Sequence, residues 1–368
     1  MKFKKIQARK IDVLIVDKML SEYLCHCIPK SAISEITPLP SRGVIPWIPK
    51  FNFFLSLISA IKKYGLSSNS FIISLINITN PSVVITYIDN NPIMGKLLNI
   101  FPDKLIISIQ NGVRVDNKGI NFSAAPVYYG FGNYEYELYR ELGISISEYH
   151  PVGSYKMGVF LSDKSKYYCQ NDNSISFVSQ FRKYNHDDIN NALGELFFLA
   201  QKFCLSANYK IDVLMVCEKN SPHYLDELNF FKNRVYCKYV NIVPNNSQKF
   251  TSYSVGYASS AIISISSTLA MELFGCGVRV LFCFPSVPTV DKYMDNYRNK
   301  LPSISLTKKS LNYADFNNKI SFLLSTPREQ YAYMCKKSMN YVMMCQDNYP
   351  HLIIKRRIQD FIDRKSVV

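Results

Sequence analysis

A run of small hydroxyl-bearing residues directly behind an apolar stretch is the part of this sequence with the clearest chemical use. Ser266, Ser267 and Thr268 follow AIISI (261–265), and Leu269, Ala270, Met271 and Glu272 complete the segment. Ser and Thr favour the N-cap of a helix, and the first turn behind such a cap presents backbone N–H groups at the positive end of the helix dipole. That is an anion site without any lysine. Glu272 falls four residues after Thr268, one turn deeper on the same helical face, where a carboxylate can accept hydrogen bonds from ribose hydroxyls. A capped helix with an ordinary glutamate would have the same sequence, so both readings stand.

Two further segments offer polar groups behind apolar runs. Asp89, Asn90 and Asn91 follow VVITYI (83–88), and Gln110, Asn111, Gly112, Val113 and Arg114 follow LIISI (105–109). Amides supply donors and acceptors together, which suits a sugar or another polyol. Gly112 permits a tight turn, and Arg114 can hold a carboxylate or phosphate bidentately. The plainer reading makes Asp89 and Asn91 helix caps and Asn111-Gly112 a turn. Ser179, Gln180, Arg182 and Lys183 end another apolar run, ISFVSQF (175–181), where the two basic residues can meet phosphate or simply be solvated. His150, just before Pro151, and Glu218, behind IDVLMV, are single candidates whose ordinary role is structural.

Parallel strands must position these groups. Residues 12–17 (DVLIVD), 83–88, 105–109 and 127–131 (VYYGF) read as short buried strands, with helices over 51–64, from Pro92 onward, and over 134–142. Lys62, Lys63 and Gly65 mark the end of the 51–64 helix. A polar stretch at 162–173 is the best linker. A second series follows: strand 175–181, helix 187–203, strand 211–216, helix 224–231, strand VYCKYV (235–240), helix 247–257, strand 261–265, helix 268–274 and strand 278–284. From residue 317 the chain reads as helix, punctuated at Pro327 and Pro350. The expectation is an α/β chain of two Rossmann-like domains, 1–165 and 166–320, with a helical tail over 321–368 that packs back across the first.

Composition bounds the function. The chain has 368 residues, 48% apolar and 19% charged, enough for two sizeable cores. No apolar run is long enough to span a bilayer, and residues 1–10 lack the apolar core of a secretory signal. The cysteines sit in or beside apolar runs, no Cys-x-x-Cys occurs, and Cys25-His26-Cys27 cannot aim three ligands at one ion. A reduced cytoplasmic protein without a metal site is expected. Lys and Arg outnumber Asp and Glu by 43 to 28, a net charge of +15 that favours an anionic partner. The basic residues form no stripe, and no aromatic stacking motif of the RNA-binding type occurs, so nucleic acid is not expected.

In their order along the chain, VVITYIDNN, SIQNGVR, FVSQFR and ISSTLAMELFGCGVRVLF resemble the glycosyltransferases of bacterial surface-polysaccharide biosynthesis with the GT-B architecture, the Kdo-transferase modules of O-antigen and capsule synthases among them. The likeness runs from about residue 12 to 284. It implies two Rossmann-like domains around a cleft, a nucleotide-sugar co-substrate with no further cofactor and no metal, and transfer to a lipid-linked or oligosaccharide acceptor. Ser266, Ser267 and Thr268 would then bind donor phosphate, with Glu272 orienting the nucleotide or sugar. Ser179, Gln180, Arg182, Lys183 and Glu218 would complete the donor side. Asn90, Asn91, Gln110, Asn111 and Arg114 would line the acceptor side, and Asp89, Asp116 and His150 are the catalytic candidates. If the donor is CMP-Kdo, Arg114 would take its carboxylate. The chain lacks the Glu-x7-Glu motif of retaining GT-B enzymes, which disfavours a common UDP- or GDP-hexose mechanism.

The competing expectations are a nucleotide-sugar epimerase on the same fold, a non-catalytic basic protein that binds nucleic acid or membrane, and a degenerate GT-B subunit. A transferase of this kind would work at the cytoplasmic face of the inner membrane, with the basic termini and the tail 353–362 touching its anionic surface.

Overall fold

The computed structural model describes residues 2–6, 10–39, 43–114, 124–163, 173–184, 187–246, 249–288, 290, 297–345 and 348–366. The expected linker at 162–173 lies almost wholly outside them. The chain divides into two compact units, one of residues 1–131, 135–159 and 346–368, the other of 132–134 and 160–345.

The first unit opens with β1 (Lys2–Lys5) and β2 (Val13–Val16). After a 3-10 turn at Ser21–His26 come β3 (Ser34–Thr37) and β4 (Val44–Trp47). Helices α1 (Phe51–Tyr64) and α2 (Ser68–Thr79) follow, then β5 (Val83–Thr86), α3 (Ile93–Ile100), β6 (Leu105–Ile109) and β7 (Ala124–Gly130). The series continues with α4 (Asn133–Glu141), β8 (Ser145–Pro151) and α5 (Tyr155–Ser162). Six strands form one sheet in the order β3-β2-β5-β6-β7-β8, every pair parallel.

The β-branched runs explain that sheet. A strand covered on both faces needs apolar side chains at every position, and β2, β5 and β6 are buried throughout. Leu14, Val84 and Ile106 share one core with Ile72 and Ile76 of α2 and Leu97 of α3. Each such side chain contributes roughly 1.5–3 kcal/mol by leaving water. The β1–β4 pair is a separate parallel ribbon leading into α1. The C-terminal helix Pro350–Ser366 belongs to this unit and buries Ile354 and Ile358. Gly158 makes room for it, because a Cβ there would lie 2.6 Å from Pro350 Cδ.

The second unit repeats the plan with β9 (Ser174–Val178), α6 (Asp187–Ala207), β10 (Lys210–Glu218), α7 (Tyr224–Lys232), β11 (Val240–Asn245) and α8 (Thr251–Ala258). Then come β12 (Ala261–Ser264), α9 (Thr268–Gly275), β13 (Val280–Phe282), α10 (Tyr313–Ser325) and α11 (Arg328–Val342). The sheet order is β11-β10-β9-β12-β13, again all parallel.

One expected strand is displaced. VYCKYV was expected to pair from residue 235, yet β11 starts only at Val240. The N–H groups of Tyr236 and Cys237 donate instead to Gln201 Oε1 of α6, at 3.0 and 3.2 Å, while Gln201 Nε2 donates to the Arg234 carbonyl. A buried side-chain amide thus satisfies this backbone in place of a strand ladder.

Candidate functional site

In an open parallel sheet the crevice for a ligand lies beyond the carboxyl ends of the strands, where the order reverses direction. In the second unit that point falls between β9 and β12, since β10 and β11 extend one way and β13 the other. Gln180, behind β9, spans it. The Ser266 N–H donates to Gln180 Oε1 at 2.5 Å, and Gln180 Nε2 donates to Ser266 Oγ at 3.0 Å. This paired contact fixes the turn behind β12, helped by the Ser267 N–H donating to Ser264 Oγ at 3.2 Å.

Helix α9 starts at Thr268 with Ser267 as its N-cap, in extended conformation and without a side-chain cap bond. Ser266, Ser267 and Thr268 are half-buried at the turn. Glu272 is buried one turn on, where its carboxylate accepts a 2.7 Å hydrogen bond from the Tyr253 hydroxyl of α8. The geometry is a half-buried polar turn at the first-turn amides of α9, with a buried, hydrogen-bonded carboxylate one turn on.

The other donor-side candidates divide. Ser179 is buried, and its hydroxyl donates to Glu227 Oε1 at 2.5 Å. Glu227 also accepts the N–H groups of Val216 and Cys217, at 2.9 and 2.8 Å. This buried α7 carboxylate therefore pins the ends of β9 and β10 together, and Ser179 serves that anchor. Lys183 is exposed and paired with Asp226 at 2.8 Å. Arg182 is exposed, its backbone held in both directions by the Asn190 amide. Glu218 is half-buried at the end of β10, away from the β9–β12 reversal along the sheet order.

In the first unit the strand ends form a closed polar cluster. Asp89, buried behind β5, accepts from the Asn111 N–H at 3.2 Å, Arg114 Nε at 3.0 Å and the Tyr128 hydroxyl at 2.7 Å, with Arg114 Nη2 on its other oxygen. Arg114 Nη2 also donates to Asn111 Oδ1, and Tyr128 meets Tyr139 through their hydroxyls. Burial alone would lower the Arg114 pKa, but the Asp89 charge outweighs it and raises it. The Tyr128 hydroxyl is raised by burial and by the same carboxylate. Gly130 lets Tyr149 close the cluster, because a Cβ at 130 would sit 2.1 Å from the Tyr149 hydroxyl.

Gln110 is buried and bound on three sides. It accepts from the Phe131 N–H at 2.8 Å and donates to the Gly112 carbonyl and to Glu135 Oε1. Asn90 is half-buried. Asn91 Oδ1 accepts from the Ile93 N–H at 3.2 Å, while its buried Nδ2 has no partner. His150, on edge strand β8, stacks on Tyr129 and contacts Glu148 Oε1 at 2.6 Å, and Glu148 Oε2 accepts from Arg357 at 2.9 Å. These groups line a separate cavity of about 310 Å³. Asp116 lies outside the described residues.

Three carboxylates escaped the sequence reading. Glu135 is fully buried, and burial pushes its pKa up to about 8, so it holds a proton at neutral pH; its Oε2 has no hydrogen-bond partner. Nothing in NYEYELYRE marks it as buried. Glu227 is equally hidden within a polar helix. Asp17, buried behind β2 with φ at +77°, had a visible signal as the charged end of DVLIVD. Its Oδ1 accepts from the Met19 N–H at 3.0 Å. Among the described residues, no group of three or more His, Cys, Asp or Glu could hold a metal ion, and no helix is long and apolar enough to cross a membrane.

Two parallel-sheet Rossmann-like units in one chain, with a C-terminal helix, are the GT-B fold, and solved structures of that fold match the chain from end to end. No family model and no curated protein matches the sequence. UDP-GlcNAc 2-epimerase from Methanocaldococcus jannaschii, solved with UDP-GlcNAc and UDP, is 10% identical with a TM-score of 0.54, over 99% of this chain and 100% of that one. The wall teichoic acid polymerase TagF is 12% identical with a TM-score of 0.55, over 98% and 90%. Sucrose-phosphate synthase from Thermosynechococcus elongatus is 10% identical with a TM-score of 0.51, over 97% and 100%. At these identities the likeness establishes the fold.

Proposed function

We propose that this chain is an enzyme acting on a nucleotide-linked sugar, with the nucleotide's phosphate at the Ser266–Ser267–Thr268 turn and Glu272 fixing the ribose or sugar beneath it. The observation that carries the reading is the Gln180–Ser266 pairing across the strand reversal, which holds the start of α9 in one position. Backbone amides held that way stabilise a departing phosphate without reorganising, and take the role a cation would otherwise fill.

Epimerisation of a UDP-N-acetylhexosamine is the better supported reaction. Several of the similar structures are UDP-GlcNAc 2-epimerases, and they cover 96–99% of this chain. Glycosyl transfer is the second reading, supported by TagF and sucrose-phosphate synthase. Under it the acceptor is a lipid-linked or oligosaccharide glycan, and Kdo transfer from a CMP donor is its narrowest form. In that form the donor's carboxylate would have to compete with Asp89 for Arg114.

Thermal-shift assays with UDP, UDP-GlcNAc, CMP, CMP-Kdo and GDP test the proposal, because a ligand bound only by the folded state raises its melting point. Stabilisation by UDP compounds, with product formed from UDP-GlcNAc in the absence of acceptor, selects epimerisation. Stabilisation by CMP compounds, with turnover only when acceptor is present, selects transfer. Stabilisation by none of the five overturns the proposal for UDP-, CMP- and GDP-linked sugars.

A further inference from the structure

Helix α1 presents its apolar residues on two sides. Phe53 and Ala60 face the core, and α2 packs alongside, with Asn77 Nδ2 donating to Ser56 Oγ. On the opposite side Phe51, Phe54, Leu55 and Ile58 are 75%, 46%, 50% and 51% exposed. Their spacing of i, i+3, i+4 and i+7 makes one continuous outward stripe. Leu66, just past the helix end, is 77% exposed. Single exposed apolar residues are normal on a protein surface, but an aligned stripe of this kind marks an interaction face.

The surrounding charge says what covers it. Lys62 lies on the stripe itself, one turn past Ile58, with Lys63 beside it, and both are exposed. No Asp or Glu occurs anywhere between Glu35 and Asp89. The β1–β4 ribbon that leads into α1 adds exposed Phe3 and Lys5. A protein partner would be expected to meet some mixture of charges; an outward apolar stripe that runs into two exposed lysines, on a segment without a carboxylate, complements an apolar layer beneath a negative surface. The C-terminal helix offers no equivalent face, because Ile354 and Ile358 are spent on packing within their own unit.

We propose that α1 docks this chain on an anionic lipid bilayer, with Phe51, Phe54, Leu55 and Ile58 entering the headgroup–acyl boundary and Lys62 and Lys63 contacting lipid phosphates. The inference is independent of which sugar reaction the chain performs. The chain carries its own reporter, since its one tryptophan, Trp47, ends β4 four residues before α1.

Full-length protein is titrated with vesicles of phosphatidylcholine alone and of phosphatidylcholine with phosphatidylglycerol, following Trp47 fluorescence and co-flotation. Binding to the anionic vesicles is expected, weakening with added salt. Phe51→Gln with Ile58→Gln is expected to reduce it about tenfold or more, given the apolar area withdrawn, while Leu352→Gln, on the exposed side of the C-terminal helix, leaves it unchanged. Both altered α1 positions are exposed, so the melting temperature should hold. Should that variant misfold, Lys62→Gln with Lys63→Gln provides the second test, expected to weaken anionic binding and flatten its salt dependence. Equal binding by the α1 variants and the parent chain overturns the proposal, as does equal affinity for neutral vesicles. A dimer abolished by the α1 changes, with no uptake by vesicles, assigns the stripe to a second copy and overturns it too.

Discussion

The carboxyl edges of the two parallel sheets carry similar polar groups and use them differently. Behind β5 and β6, Asp89, Asn111, Arg114, Tyr128 and Tyr139 hydrogen-bond one another, so both Asp89 oxygens are engaged twice. Behind β9 and β12, Gln180 and Ser266 use each other only to set a turn, and Ser267 leaves its hydroxyl off the helix it caps. Buried charge explains the contrast. A carboxylate removed from water needs nearly every lone pair answered, whereas amides and hydroxyls at a half-buried turn keep spare capacity for a ligand. The same topology therefore yields one edge whose buried polar groups answer one another and one whose groups sit half-buried at a turn, and residue type alone does not tell them apart.

The sharpest way to break the comparison is at Arg114. Arg114→Met leaves Asp89 buried without its cation and is expected to destabilise the first unit by about 3–5 kcal/mol, read from urea unfolding. Adding Asp89→Asn should recover a large part, because the cost lies in the stranded charge. A single-variant loss below about 1 kcal/mol would mean the pair is solvated and available to ligands, and the contrast between the edges would vanish.

A smaller effect should appear at Glu135. Its folded pKa of about 8 lies above the ordinary 4.5 of a free glutamate. Below the lower value both folded and unfolded chains keep the proton, and the full stability is present. As pH rises from there to the upper value, the unfolded chain releases the proton while the fold retains it, so stability falls and then levels off. Glu135→Gln removes that slope. The variant should melt close to the parent at pH 5 and roughly 5 °C above it near pH 8.5, from melting curves across the series. A difference that stays constant with pH would show that Glu135 ionises freely in the fold.

Much of this architecture is legible in the sequence, for a physical reason. Strands covered on both faces print as β-branched runs, so VVITYI, LIISI and AIISI mark β5, β6 and β12. Lys62, Lys63 and Gly65 likewise end α1 where a helix should end. Edge strand β8 is half-exposed and reads SISEYHP, a pattern without a run, and it escapes notice. VYCKYV has the run but loses its partner to Gln201, a residue far away in sequence. The candidate site divides in the same way. Placement behind a strand made Asp89 and Ser266 visible, but what each one bonds depends on Tyr128 and Gln180, contacts that no spacing rule reveals.

The smallest expected change in stability lies at the β9–β12 edge. Replacing a serine N-cap by alanine ordinarily costs about 0.5–2 kcal/mol, because the first-turn amides lose an acceptor. Ser267 makes no such bond here, so Ser267→Ala should cost the ligand-free protein only a few tenths of a kcal/mol. If its hydroxyl is kept for a phosphate, the same variant should lose a charge-assisted hydrogen bond only when nucleotide is bound, worth about 1.5–3 kcal/mol and seen as a smaller nucleotide-induced rise in melting temperature. Unfolding with and without UDP separates the two contributions. A loss that is the same in both conditions would make Ser267 a cap like any other, and the β9–β12 edge would then hold its hydroxyl for the helix rather than for a ligand.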